Sequence, residues 1–288
     1  LWRHKFGMNY LRVSAWITFL ISGAILLFLT IYSWKSVAGG HVHMLSSHWD
    51  IPNDHYGLLP MIYGTLAVSA IALIIAIPIG ISTSIFISEF IPKNLQLFLK
   101  GILEVLAGIP SIVYGLVGVG VLNLWVTQWF GLSTGRTLFT AGIILGIMVL
   151  PTIISLCHQS FEEVPKALKD SAKGLGLYPH EILSRVVLPS AGHQMAGAIL
   201  LALGRALGET MAVMLIVGSI DRLPSPWFDV LQPGQTMTAK LGRELGESSF
   251  GTIHFSALIS IGLILFVMVL IISLLGQLWY QKKPKGNE

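Results

Sequence analysis

Two oppositely charged side chains lie in the middle of a long apolar stretch of this sequence. The stretch GAILLALGRALGETMAVMLIVG, residues 197–218, contains Arg205 and Glu209 and no other charged residue. A charge near the centre of a bilayer costs at least about 2.5 kcal/mol on insertion scales. Residues four apart lie on the same face of a helix, so we expect these two charges to be neighbours. A membrane span that contains such a pair is expected to need it for its structure or its function.

The chemistry of the pair allows two interpretations. In the first, it is an internal ion pair that holds helices together, beside the small residues Gly204 and Gly208, which permit close helix packing. In the second, Arg205 attracts an anion crossing the membrane, because a guanidinium stays charged and matches phosphate oxygens bidentately. Glu209 would then neutralise Arg205 when the path is empty and accept a hydrogen bond from a protonated phosphate. We favour the second, with Thr210 as a further pathway residue.

The composition indicates that these charges belong to a membrane protein. Of the 288 residues, 53% are hydrophobic and 11% are charged, and the mean hydropathy is +0.74, whereas soluble domains are about 25% charged. At about 20 residues per span, we expect an all-α membrane protein with six transmembrane helices in one permease domain, residues 1–288. The expected spans are about 13–34, 61–88, 102–125, 139–157, 190–220 and 253–279.

Several alternatives are disfavoured by the same sequence. The first span holds 22 uncharged residues, more than the about 7–15 of a signal-peptide core. The net charge of +4 comes from basic residues that flank the spans, which indicates a membrane protein rather than a nucleic-acid binder. The single cysteine, Cys157, excludes an intramolecular disulfide. We expect no metal site and no catalytic residue.

A polar loop between the first two spans contains four histidines. They are His41, His43, His48 and His55. Their spacing fits no compact set of metal ligands, so a solvated loop is the favoured interpretation.

A proline interrupts the third apolar region. Pro110 lies in LAGIPSIVYGLVGVG, residues 106–120, where it removes a helical hydrogen bond. Such a break within a membrane is tolerated where protein or a water-filled cavity satisfies the freed groups. Two interpretations stay open: a structural kink between packed helices, or an opening at which Ser111 and Tyr114 offer hydroxyl groups to a solute.

The longest polar and helical segment follows the fourth span. It reads FEEVPKALKDSAKGLGLYPHEILSRVVLP, residues 161–189. A start near Pro165 and glycines at 174 and 176 predict two short helical pieces joined by a turn within residues 161–180. An amphipathic segment of this kind rests on lipid headgroups or on a partner protein, and we favour the partner.

This segment resembles the EAA loop of ABC-importer permeases. The resemblance rests on Asp170-Ser171-Ala172, on Gly176, and on Leu188-Pro189 at the family's spacing. Asp stands for the family's Glu, Ser for its first Ala, and Val186 for its Ile. In that family the loop forms short coupling helices that dock on the ATPase subunit. The resemblance therefore implies a set of ATPase-coupling residues, which are Glu162, Lys166, Asp170, Ser171, Ala172, Gly176, Leu188 and Pro189.

Three further stretches are similar to PstC-type permeases of the phosphate ABC importer, a family of type I ABC-importer membrane subunits. They are GTLAVSAIALIIAIPIGISTSIFISEFIP, LAGIPSIVYGLVG and GRALGETMAV. The resemblance implies a multi-pass subunit of the bacterial inner membrane that imports inorganic phosphate. It also implies a PstA-type second permease, a PstB-type ATPase dimer and a PstS-type phosphate-binding protein as partners. The chain has no Gly-Lys dipeptide and hence no Walker A loop, so ATP and magnesium are expected on the partner, and no cofactor on this chain.

The basic residues predict the orientation. Twelve lie on the side of the N-terminus and five on the other, which places both termini in the cytoplasm by the positive-inside rule. The twelve are Arg3, Lys5, Arg12, Lys93, Lys100, Lys166, Lys169, Lys173, Arg185, Lys282, Lys283 and Lys285; the five are Lys35, Arg136, Arg222, Lys240 and Arg243.

The sequence leaves two rival functions open. The first is the same kind of ABC permease for another oxyanion, namely molybdate, sulfate or a phosphonate, and uptake measured with competing anions would discriminate. A proton-driven secondary transporter with Glu209 as proton carrier is the rival from another class. Removal of the ATPase, compared with uncouplers, would separate these two energy sources.

Overall fold

The computed structural model describes residues 2–281, so Lys282, Lys283 and Lys285 lie outside the described residues. Six segments of the described chain are long and apolar enough to cross a membrane. The helices are α1 (Trp2–Ala38), α2 (Leu59–Phe90), α3 (Lys93–Gly108), α4 (Ser111–Val117), α5 (Asn123–Phe130), α6 (Leu138–Glu162), α7 (Lys166–Gly174), α8 (Pro179–Ile182), α9 (Leu188–Gly208), α10 (Met211–Ile216), α11 (Met237–Glu244) and α12 (Ile253–Gln281). The π-helical turns Gly118–Leu122 and Leu183–Val187 join α4 to α5 and α8 to α9.

Three short strands follow α1. They are β1 (Val42–His43), β2 (Trp49–Asp50) and β3 (His55–Gly57). The central strand β3 pairs in parallel with β1 and antiparallel with β2, with Tyr56 opposite both Val42 and Trp49. Tyr56 of this small sheet is buried, and its ring stacks on that of His254 at the start of α12, with centroids 6.0 Å apart.

The helical bundle has two distinguishable ends. At the sheet end, the ring centroid of Trp49 in β2 lies 4.5 Å from Lys240 Nζ in α11. At the coupling end, Lys169 Nζ of α7 lies 2.6 Å from Glu89 Oε1 at the end of α2. The connection 217–252 therefore lies at the sheet end, and the polar segment that follows α6 lies at the coupling end.

Four of the six expected spans fall within single helices. The ranges 13–34, 61–88, 139–157 and 253–279 lie inside α1, α2, α6 and α12. The expected span 102–125 is divided at Ile109 and Pro110, where the backbone is extended (ψ 129° and 136°). The apolar segment long enough to span begins there at Ser111.

The expectation of one uninterrupted helix over 190–220 is wrong. Helix α9 ends at Gly208, Glu209 has an extended backbone (φ −69°, ψ 127°), and α10 begins only at Met211. Gly204 and Gly208 weaken the last turn, because glycine is a poor helix former. The hydroxyl of Thr238 then donates to the freed carbonyl of Glu209 at 2.7 Å, so the break is satisfied from another part of the chain.

Helix α6 is the central element of the core. It packs most extensively on α2, and also on α9, α3 and α10. The approach to α2 is close because Gly142 and Gly146 face it. A Cβ atom at Gly142 would lie 2.5 Å from Cγ2 of Ile71, and one at Gly146 would lie 3.1 Å from the carbonyl oxygen of Ala72.

The helix α1 is attached to the bundle along one seam, which it forms with α12. Within this seam Ser36 Oγ lies 2.9 Å from Ser260 Oγ, and the Ser36 amide donates to Ser256 Oγ at 3.2 Å. The Lys35 ammonium donates to the carbonyl of Gly251 at 2.9 Å. Most other side chains of α1 from Leu11 onward are exposed and apolar, as expected for a helix whose other faces contact lipid.

We expect Gly142→Leu to destabilise the bundle by about 1–3 kcal/mol, the usual range for overpacking. The added side chain would collide with Ile71 across the α2–α6 contact. Gly23→Leu in α1 is the matched control, because a Cβ there meets nothing within 4 Å. Thermal unfolding in detergent measures both. Equal midpoints would contradict the assigned contact.

Candidate substrate pathway and coupling surface

The Arg205 side chain lies at mid-depth of the bundle. Its Nη1 donates to Thr152 Oγ1 at 2.9 Å, and Thr152 is the fifteenth of the 25 residues of α6. Arg205 is nevertheless exposed on the surface of this chain, one turn beyond Leu201, which is 65% exposed. A guanidinium at this depth is costly against lipid tails, so this face must be covered by water or by another protein.

Glu209 does not pair with Arg205. The salt bridges of the described residues include none between them, and the break after Gly208 takes Glu209 off the α9 helix. Instead Glu209 Oε1 accepts a long hydrogen bond, 3.4 Å, from the amide of Ala212 in the first turn of α10. The ion-pair interpretation is therefore wrong, and Glu209 also does not neutralise Arg205 by direct contact as expected. The two charges remain near each other in sequence but are held by different partners.

The three other predicted pathway residues lie on two segments that meet. Helix α4, with Ser111 and Tyr114, packs on α10, which directly follows Glu209 and Thr210: a Cβ at Gly115 would lie 3.0 Å from Cα of Ala212. The hydroxyl of Tyr114 donates to the carbonyl of Leu106 at 2.9 Å, so it satisfies the end of α3 at the proline break. This hydrogen bond supports the structural interpretation of the kink for Tyr114. Ser111 and Thr210 are each half-buried.

The structure contains a buried cation at the sheet end that the sequence analysis did not predict. The side chain of Lys240 is 1% exposed; its Nζ forms a short ion pair with Asp221 and lies 2.5 Å from Glu244 Oε1. Glu244 Oε2 in turn lies 3.2 Å from His254 Nε2 of α12. The spacing of Lys240 and Glu244, four residues apart, was the available signal. Their burial depends on a long connection whose path the sequence does not indicate.

This charged cluster fixes the segment that satisfies the break in the fifth span. Helix α11 carries both Lys240 and Thr238, the donor to the Glu209 carbonyl. The Met237 amide also donates to Thr65 Oγ1 of α2 at 2.9 Å, and a Cβ at Gly64 would collide with the backbone of Gln235. The position of Glu209 therefore depends on contacts between α11, α2 and the cluster.

Three of the four loop histidines, His41, His43 and His55, have ring contacts within the sheet region. His43 and His55 stack with ring centroids 4.4 Å apart. The ring Nδ1 atoms of His41 and His55 lie 3.2 and 3.3 Å from the carbonyl oxygens of Asp54 and His48. Among residues 2–281, no three His, Cys, Asp or Glu side chains converge as metal ligands would.

Tyr56 links the sheet to the bundle. Burial, together with a hydrogen bond from its hydroxyl to Asp54, raises the pKa of Tyr56 to about 12. The hydroxyl thus stays protonated at neutral pH and remains a donor to Asp54.

The predicted coupling segment forms two short helices joined by a turn. Pro165 precedes α7, Gly176 occupies the turn with φ +80°, and Pro179 begins α8. Val164 and Ala172 are buried against the bundle. The side chains of Leu168, Leu175 and Tyr178 are 47%, 81% and 68% exposed, which leaves an apolar surface at the coupling end.

The remaining predicted coupling residues surround this surface or lead away from it. Glu162, Lys166, Asp170 and Ser171 are exposed, whereas Leu188 is half-buried and begins α9 with Pro189. A continuous helical path therefore runs from α8 through the π-helical turn into α9 and on to Arg205. The ion pair between Lys169 and Glu89 also joins α7 to α2.

We expect Lys240→Met to lower the free energy of unfolding by about 3 kcal/mol, at the lower end of the range for breaking a buried ion pair. The lower end applies because Glu244 keeps its contact with His254, and the Asp221 carboxylate left unpaired is 26% exposed. Arg222→Met is the matched control at the same end of the bundle: Arg222 is exposed, and its loss should change stability by less than about 0.5 kcal/mol. Chemical unfolding in detergent measures both variants. A Lys240 variant as stable as the control would rule out the cluster as an anchor of α11.

Comparison with known proteins identifies the family to which this architecture belongs. Residues 76–282 match the family model "Binding-protein-dependent transport system inner membrane component". The phosphate transport system permease protein PstC of Haemophilus influenzae is 36% identical over 99% of this chain and 96% of its own length. PstC of Mesorhizobium japonicum is 36% identical over 91% of this chain and 85% of its own.

Solved structures agree at the level of the fold. A bacterial ABC transporter involved in the import of the acidic polysaccharide alginate has a TM-score of 0.58 at 17% identity, over 94% of this chain and 96% of the other. The MetNI methionine ABC transporter in an inward-facing conformation has a TM-score of 0.57 at 16% identity, over 78% and 93%. These likenesses identify a type I ABC-importer permease fold. This chain belongs to the family of inner-membrane components of binding-protein-dependent transport systems and, within it, to the PstC-type permeases.

Proposed function

We propose that this chain is a membrane-spanning subunit of an ATP-driven importer that moves inorganic phosphate into the cytoplasm. The observation that carries the proposal is the exposed guanidinium of Arg205 at mid-depth of the bundle, in a chain whose relatives are named phosphate transport permeases. A guanidinium presents fixed donors to phosphate oxygens and stays charged in a site of low polarity.

In this proposal Arg205 attracts the anion and Thr152 orients the guanidinium. The Thr152 hydroxyl accepts from one Arg205 nitrogen, which leaves the other N–H groups free for phosphate oxygens. Glu209 and Thr210 lie in the break beyond it, with Ser111 on the neighbouring α4. An acceptor carboxylate there would favour a protonated phosphate over sulfate, because sulfate has no proton to donate at neutral pH.

The exposed face that carries Arg205 supports a path between two membrane subunits. As a family, ABC-importer permeases act with an ATPase and a further membrane subunit. We assign that second subunit to the PstA type, and it would cover the face of α9 that includes Leu201. A PstS-type binding protein would deliver phosphate at the sheet end.

The apolar surface of α7 and α8 is the proposed docking site for a PstB-type ATPase dimer, which would hold ATP and magnesium. The bias of basic residues towards the coupling end supports a cytoplasmic position for this surface. ATP-driven movement of α7 would reach Arg205 through α8 and α9, and would reach α2 through the ion pair of Lys169 with Glu89.

We expect Arg205→Gln to reduce phosphate uptake by about 10- to 100-fold, the range for loss of a hydrogen bond to a charged group. Glu209→Gln should instead reduce the preference for phosphate over sulfate. Uptake of labelled phosphate by cells, with sulfate, molybdate or a phosphonate as competitor, measures both. Glu247→Gln, in the exposed connection at the sheet end, is the control. Unchanged uptake by the Arg205 variant would refute the anion site.

We expect Gly176→Arg to prevent co-purification of the ATPase while the membrane bundle stays assembled. The new side chain would project from the turn of the coupling segment, where a Cβ meets nothing within 4 Å of this chain. Gly251→Arg is a close control, since Gly251 also has a positive φ (84°, against 80°) and open space, but lies at the sheet end. Both variants carry the same backbone strain and the same added charge. ATPase retained equally by both would contradict docking at this surface.

A further inference from the structure

A cavity at the coupling end lies apart from the proposed path and shares only Glu162 with the predicted coupling residues. It has a volume of about 200 Å³ and lies between the first two turns of α3 and the last turns of α6. Its lining residues are Lys93, Gln96, Leu97 and Lys100 of α3 and His158 and Glu162 of α6. At about 30 Å³ per water molecule, it has room for a small hydrated anion.

The α3 helix presents an unusual concentration of positive charge to this cavity. Its N-terminus has no side-chain cap and no acidic residue in the first turn. The positive end of a helix dipole normally attracts carboxylates and disfavours lysine. Here Lys93 begins the helix and Lys100 lies two turns later, on the same side. An anion in the cavity would relieve this repulsion.

The α6 side of the cavity adds an imidazole and one carboxylate. His158 is 7% exposed, and its Nδ1 is buried without a hydrogen-bond partner. Its Nε2 lies 3.8 Å from Glu162 Oε1, which is too long for a hydrogen bond. The wall therefore holds two ammonium groups and a single carboxylate, which is itself 57% exposed, together with an imidazole that adds positive charge only when protonated.

The position of α3 is fixed independently of any ligand. The side-chain amide of Gln96 donates to the carbonyls of Ile91 and Ser88, at 2.7 and 3.4 Å. These bonds hold the first turns of α3 to the end of α2, so the two lysines start from a defined backbone. A preorganised site loses less entropy on binding than a mobile one.

We infer that this cavity binds a phosphate group. Lysine ammonium groups bind phosphate as point charges, and basic pockets between helices on the cytoplasmic side bind anionic headgroups. Two sources carry that group: an anionic phospholipid, whose acyl chains would lie along the exposed Leu97 and Phe98, and inorganic phosphate itself. The site does not depend on the proposed transport substrate.

The test compares Lys93→Gln/Lys100→Gln with the parent chain, using full-length protein in mild detergent. One arm measures retained phosphatidylglycerol against phosphatidylethanolamine by native mass spectrometry. The other measures binding of labelled inorganic phosphate in an Arg205→Gln background, so that the proposed path contributes nothing. We expect the double variant to bind phosphatidylglycerol, inorganic phosphate or both about 25-fold more weakly, at roughly fivefold per lysine.

Two controls make the result specific. Lys173→Gln/Arg185→Gln removes the same charge from exposed positions at the same end, and Lys93→Arg/Lys100→Arg keeps the charge in place. Both should bind like the parent. Loss in the lipid arm alone identifies a headgroup site, and loss in the phosphate arm alone identifies a site for the free anion. If neither arm falls below the Lys173/Arg185 control, the inference is overturned.

Discussion

A charge held at mid-depth of a membrane bundle constrains the rest of this structure. Arg205 is costly there unless its surroundings supply polar groups, and Thr152 of the central helix α6 supplies a hydroxyl. One turn further along the chain, the interruption after Gly208 frees backbone groups and takes Glu209 off the helix. This interruption is not stable by itself, because a broken helix in an apolar medium needs partners for its freed carbonyls.

Those partners come from the sheet end of the molecule. Thr238 satisfies the break, Lys240 fixes the helix that carries Thr238, and Asp221, Glu244 and Trp49 surround Lys240. The position of Glu209 therefore depends on α11, and the position of α11 depends on the charge cluster around Lys240. A buried lysine with two carboxylates is a weak argument for stability as such. Its contribution here is to fix α11, and through Thr238 the break between α9 and α10.

The sequence predicts those features that the membrane or local chain chemistry imposes. Six spans follow from hydropathy, because crossing a bilayer fixes helix length. The turn of the coupling segment follows from Pro165 and Gly176, since these residues act on their own backbone. The resemblance to ABC-importer permeases was likewise carried by short local motifs, and the family match confirms it.

The features that sequence reasoning missed depend on distant contacts. The expected face shared by Arg205 and Glu209 does not exist, because the helix is interrupted and Thr238, 29 residues away, satisfies the break. The hydroxyl of Tyr114 was a candidate for binding solute, but it donates to Leu106 eight residues earlier. The burial of Lys240 depends on Asp221 and Trp49, which are far apart in the chain. No local sequence pattern specifies contacts between residues that are so far apart in the chain.

The seam between α1 and α12 has a consequence for the order in which the molecule assembles. Helix α1 can complete this packing only after α12 has been made, because Ser36 bonds to Ser256 and Ser260, which lie 220 and 224 residues further along the chain. The close contact of α2 with α6 has no such requirement, since both helices precede α12 in the chain. The seam of α1 therefore depends on a helix that is made later than either of the two that form the central contact.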